Sequence, residues 1–102
     1  KALEINPNYF EVHFSFGELL YDNAYFAEAL EHFQKADTLD PNNDKVKWHL
    51  AECLYHLQRY NASYTLAKDA VKLNRKNVFA KSLLKLLNEP DIKRLRKKFP
   101  DQ

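Results

Sequence analysis

The chain reads as an all-α protein, a solenoid of antiparallel helix pairs with a C-terminal capping helix. Three observations predict it. Ala2, Ala36 and Ala70 stand 34 residues apart, and other positions recur in step: Ile5, Leu39 and Leu73; Pro7 and Pro41; Asn8 and Asn42; Val12 and Val46; Glu18 and Glu52; Tyr21 and Tyr55. A fixed period of this length marks stacked supersecondary units. Apolar residues recur at three and four rather than at two, which is the helical period. One Gly in 102 residues, against a usual share of about 7%, fits helices joined by short turns.

The elements follow in order. Residues 1–5 read as the end of a helix, broken at Asn6-Pro7-Asn8 because Pro7 cannot continue it. Asn8 and Glu11 have capping-box spacing for a helix over about 9–22, whose apolar stripe is Val12, Phe16, Leu19 and Leu20. Asp22-Asn23-Ala24 is the turn. A helix over about 25–39 carries Phe26, Leu30, Phe33 and Leu39, and Asp40-Pro41-Asn42-Asn43 ends it. The next, about 44–57, carries Val46, Leu50, Cys53, Leu54 and Leu57. After Gln58-Arg59, a helix over about 60–74 carries Tyr60, Tyr64, Leu66, Ala67, Ala70 and Leu73. A fifth, about 77–88, holds Phe79, Leu83, Leu84, Leu86 and Leu87. Beyond Asn88-Glu89-Pro90, residues 91–99 form a short last helix with Ile92, Leu95 and Phe99 on one side.

Composition narrows the function classes. The chain is 45% hydrophobic with seven Phe, six Tyr and one Trp, enough for one modest core. No apolar run reaches the ~18 residues of a membrane span, and Lys1-Ala2-Leu3-Glu4-Ile5 is not a signal peptide. The sequence starts partway through a repeat and reads as a segment of a longer protein. The lone Cys53 leaves no internal disulfide and fits a reducing, cytoplasmic setting. Net charge is +2, yet residues 1–43 carry −6, 44–74 carry +2 and 75–102 carry +6. Such asymmetry bears on association and steering rather than on fold.

At these residues the chain resembles the tetratricopeptide repeat (TPR) family, whose pattern is Trp-x2-Leu-Gly-x2-Tyr, Ala-x3-Phe-x2-Ala, then Pro. The first full repeat reads His13-x2-Phe16-Gly17-x2-Leu20, Ala29-x3-Phe33-x2-Ala36, Pro41. Gly17, Ala29 and Ala36 let the helices approach, while Phe16, Leu20 and Phe33 fill the gaps. The second reads Lys47-x2-Leu50-Ala51-x2-Leu54, Ser63-x3-Ala67-x2-Ala70, with Arg75 in place of Pro. A third starts near Val78 but meets Lys81, Lys85 and Asn88 at positions for apolar residues. The resemblance covers residues 1–76 and implies a right-handed TPR-like solenoid. It divides into the end of a preceding repeat (1–7), repeats at 8–41 and 42–75, and a capping helix with basic tail (76–102). It also implies a protein-interaction scaffold rather than an enzyme.

In this family the first helix of each pair lines a concave groove. Glu11, Phe14, Glu18 and Tyr21 share one helix face, and Lys45, Trp48, Glu52 and Tyr55 repeat it. Aromatics flanked by carboxylates suit an apolar, basic partner segment. The competing reading is that these aromatics only pack between repeats. Some family members grip acidic chaperone C-termini with Lys, Asn and Arg. Here Phe14, Glu18, Trp48, His49 and Glu52 hold those slots, and the glutamates repel a terminal carboxylate. The stretch His49-Leu50-Ala51-Glu52-Cys53-Leu54 resembles small chaperones of type III secretion, which bind hydrophobic clients.

Other constellations are weaker. His49, Cys53 and His56, spaced four and three, have zinc-donor chemistry but lack a fourth ligand, and Cys53 falls in the apolar stripe. No phosphate-cradling glycine loop or nucleophile signature occurs. Neither a metal, a cofactor nor a small-molecule substrate is expected. Lys93 to Lys98 is a solvated face of a docked helix, a contact for nucleic acid or an anionic membrane surface, or half of a homo-oligomeric contact with the acidic first half of another copy. Nucleic acid is the weakest of these. Asn61-Ala62-Ser63 matches a glycosylation acceptor by chance.

Overall fold

The computed structural model describes residues 9–98. Six helices follow one another: α1 (Tyr9–Asp22), α2 (Phe26–Leu39), α3 (Asp44–His56), α4 (Tyr60–Leu73), α5 (Val78–Leu87) and α6 (Pro90–Lys98). No strand occurs among the described residues. α1 packs chiefly on α2 and α3 on α4; α2 then meets α3, and α4 meets α5. Helices stacked in chain order give an elongated body of 56 × 27 × 21 Å, as nearest-neighbour repeat packing requires. The expected helix end at 1–5, the break at Pro7, the Asn8 cap and Phe99 lie outside the described residues.

The turns within the two pairs are copies of each other. Ala24 and Gln58, 34 residues apart, both have φ 65°. Tyr25 N–H donates to the Leu20 carbonyl at 2.9 Å, and Arg59 N–H to that of Leu54 at 2.8 Å. The chain thus reverses through a left-handed residue without glycine, at a cost of about 1–2 kcal/mol each. Asn43 and Asn77, also 34 apart, cap α3 and α5. Asn43 Oδ1 accepts from the Lys45 and Val46 amides, and Asn77 Oδ1 from that of Ala80. Each cap satisfies orphan amides of a helix start, and Asn77 sets the boundary that lacks its proline.

Small residues set the helix spacing. A Cβ on Gly17 would lie 2.8 Å from Cε1 of Phe33, which is fully buried. In the second pair the same positions are Ala51 and Ala67, both fully buried. The methyl returns where the aromatic has gone. Ser63, at the place of Ala29, donates its buried hydroxyl to the Ala51 carbonyl at 2.7 Å, so the hydroxyl is satisfied. One core cluster joins Ala29, Leu30, Phe33 and Ala36 to Val46, Leu50, Cys53 and Leu54. A second joins Ala51 and Ala67 to Leu83 and Leu87.

The apolar stripe assigned to α1 needs correction. Val12, Phe16 and Leu19 are 53%, 47% and 56% exposed, whereas their counterparts Val46, Leu50 and Cys53 are 0%, 4% and 0% exposed. The second repeat's stripe is covered by α2; no described helix covers that of α1. Besides Gly17 against Phe33, Phe10, Phe14, Leu20 and Tyr21 are the residues by which α1 packs on the core. Leu39 and Leu73, each the last residue of its helix, are exposed, as are Phe79 and Leu86.

The C-terminal part caps the stack. α5 buries Ala80, Leu83 and Leu87 at the register of Val46, His49 and Cys53, so it packs like a first helix. Lys81 and Lys85 are exposed. α6 docks on α4 through Arg96, whose guanidinium lies 3.9 Å from the Tyr64 ring centroid. Arg96 Nε also donates to the Leu87 carbonyl at 3.2 Å, and Asn61 Nδ2 donates to the Arg96 carbonyl at 2.8 Å. With Ile92 against the second core cluster, the docked-helix reading of the basic run describes α6, and Arg96 is its fastening. Asn61, the acceptor-like asparagine, serves the same contact.

Candidate functional site

A cavity of about 400 Å³ opens between α1, α3 and the start of α5. Phe14 and Glu18 reach it from α1, and Lys45, Trp48 and His49 from one face of α3. Val78 and Phe79 form its α5 side, with Asp44, Lys76 and the paired Asn74 and Asn77 around the intervening turn. The wall is aromatic because successive first helices present the same face. Trp48 and Phe79 stack at 4.8 Å between centroids with ring planes 25° apart. Phe79 is 61% exposed, so its outer face is open.

Of the eight residues expected on the groove, Phe14, Glu18, Lys45 and Trp48 line this cavity. Tyr21 and Glu52 lie beside Trp48 in a hydrogen-bonded brace. Tyr21 Oη donates to Glu52 Oε1 at 2.8 Å, and Trp48 Nε1 donates to Oε2 at 3.2 Å. His56 Nε2 stands 3.8 Å from the same carboxylate. Glu52 therefore ties α1 to α3 and fixes the indole. Burial, then the bond to Glu52, pushes the Tyr21 phenol well above its ordinary range. Tyr55 turns to Tyr60, 5.7 Å away, and to the second core cluster. Glu11 is exposed and does not line the cavity.

Sequence reasoning missed the α5 side. Phe79 counts among the apolar residues of the fifth helix, yet it stands 34 residues after Lys45, and that register marks it as the next member of the groove row. Asn74 and Asn77 gave less signal. They donate to Asp44 Oδ2 at 3.2 and 2.8 Å and hold the turn against α3.

Two cavity groups are electrostatically unusual. The His49 ring is buried, stacks on Phe33 at 4.8 Å and meets the edge of Phe14 at 5.3 Å. Burial pushes its pKa down to about 4, against a weak opposing pull from Asp22, so the imidazole is neutral at pH 7. Its Nδ1 is buried with no hydrogen-bond partner. Glu18 Oε2 stands 3.6 Å from Nε2, beyond hydrogen-bond distance. The Glu18 carboxyl is raised by partial desolvation, then by Asp22 and Glu11, and Lys45 offsets this only in part.

The zinc-like trio does not assemble. The Cys53 thiol is fully buried in the first core cluster, and burial pushes its pKa up to about 12. His49 is held in the aromatic stack, and His56 lies flat on Phe26 at 4.2 Å. No group of three metal-ligating side chains occurs among the described residues. The stretch His49–Leu54 that resembles secretion chaperones is buried except for Glu52, so core packing accounts for most of it.

Stacked antiparallel helix pairs with an aromatic face on each first helix define a helical-repeat interaction protein. A family model for the tetratricopeptide repeat matches residues 25–87, more than half of the chain, and the chain belongs to that family. The family is a non-catalytic repeat that mediates protein–protein interaction. A search of curated proteins gives no match. No described helix is long and apolar enough to cross a membrane.

Proposed function

We propose that this chain is the scaffold or adaptor module of a larger, cytoplasmic protein and holds an apolar, basic partner segment along α1, α3 and α5. The observation that carries this reading is the open aromatic cavity of Phe14, Trp48 and Phe79 beside Glu18. Exposed aromatic area of this kind is unusual on a surface without a partner, and aromatics are the commonest anchors of interfaces. The reading involves no catalytic step and no cofactor. The test is a pull-down with the parent chain beside a Val78→Ser/Phe79→Ala variant, both shown equally folded by circular dichroism. One prey captured by the parent and lost from the variant is the expected result. The same preys on both overturn the reading.

Homotypic assembly is a second reading, supported by the uncovered Val12, Phe16 and Leu19 on the half of the chain that carries the negative charge. Sedimentation velocity at 50 mM and 1 M salt tests it: a Leu19→Glu variant is expected to be monomeric where the parent self-associates. A parent that remains monomeric at high concentration and low salt removes this reading.

A further inference from the structure

We propose that the cavity reads one isolated basic side chain, arginine or lysine, flanked by apolar residues in the partner segment, and that Glu18 is the residue that reads it. This rests on the groove reading above and adds its charge specificity.

Each carboxylate near the groove has a different employment. Glu52 accepts from Tyr21 and Trp48, and Asp44 accepts from Asn74 and Asn77. A partner cation would have to compete with those bonds. Glu18 has only the Nε2 edge of His49, 3.6 Å away, on a neutral ring. Its side chain is 47% exposed and lines the cavity with Phe14 and Trp48. The other acids of α1 repel it more than Lys45 relieves it, so an incoming cation gains from the carboxylate and from the aromatic faces together. Lys45 and Lys76 stand on the rim of the same cavity. They disfavour a second basic residue close by, which is why the preference is for one cation and not a basic run.

Trp48 is the only tryptophan, so its indole N–H reports on this cavity in a 1H–15N NMR titration. The probes are capped pentapeptides Ala-Leu-X-Phe-Ala, with X as arginine, lysine, citrulline or glutamate, and the capped heptapeptide Ala-Leu-Arg-Arg-Arg-Phe-Ala. The arginine and lysine peptides are expected to bind about tenfold more tightly than the citrulline peptide, a difference of about 1.4 kcal/mol. The triple-arginine peptide is expected to bind no more tightly than the single one. Glu18→Gln should abolish the preference for charge. The parent's preference should also shrink between 50 mM and 1 M salt. Equal affinities for arginine and citrulline, or a preference that survives Glu18→Gln, overturn the proposal and leave the groove reading standing. No shift of the indole signal with any peptide overturns both.

Discussion

The two helix pairs share a register but not a fate. Position for position, Val12, Phe16 and Leu19 of the first pair are open where Val46, Leu50 and Cys53 of the second are closed. The turns at Ala24 and Gln58 have the same φ, so the backbone units are alike. What differs is the neighbour: α2 covers α3, while no described helix covers α1 in the same way. Burial in a repeat array therefore belongs to the interface between units as much as to the unit's own sequence. The small-residue seam teaches a second lesson. Gly17 gives up its methyl to the Phe33 ring, whereas Ala51 keeps one opposite the smaller Ala67.

The largest effect should come from breaking that seam. Phe33→Ala is expected to cost about 3–5 kcal/mol through loss of a fully buried ring. Gly17→Ala should cost about 1–3 kcal/mol by crowding it. The double substitution, which copies the second pair into the first, should cost less than the sum by at least about 0.5 kcal/mol. Urea unfolding of the three variants measures this, and simple additivity would mean that the two positions do not share their volume.

A smaller effect separates His49 from its counterpart Ser15, which is exposed. A histidine held below its unfolded value contributes stability that is complete above about pH 6.5. That stability is lost as pH falls through the folded value of about 4, because the unfolded chain binds the proton first. The loss is on the order of 3 kcal/mol, from roughly 1.36 kcal/mol per pH unit. Thermal melts from pH 7 to pH 4 should show it in the parent and lack it in His49→Phe. An equal slope in both would place the pH dependence elsewhere.

The smallest effect contrasts Val46 with Val12. Val46→Thr buries a hydroxyl in the first core cluster and should cost about 1–3 kcal/mol. Val12→Thr should change stability by no more than about 0.5 kcal/mol. If both cost the same, something covers α1 in solution, and that cover becomes the next object to find.

The sequence by itself determined the helices, the turns and the repeat. Period, proline and asparagine act locally, so α1 through α6 fall within a residue or so of their expected bounds. It also pointed to Phe14, Glu18, Lys45 and Trp48, because a 34-residue register places equivalent faces together. Only the tertiary structure decided which apolar stripe is covered and that Phe79 leans on Trp48. It alone decided that Glu52 is spent on Tyr21 and Trp48 while Glu18 stays open. Those outcomes depend on which neighbour arrives across the gap between helices, and a pattern read along one chain carries the face of each helix but not the residue that meets it.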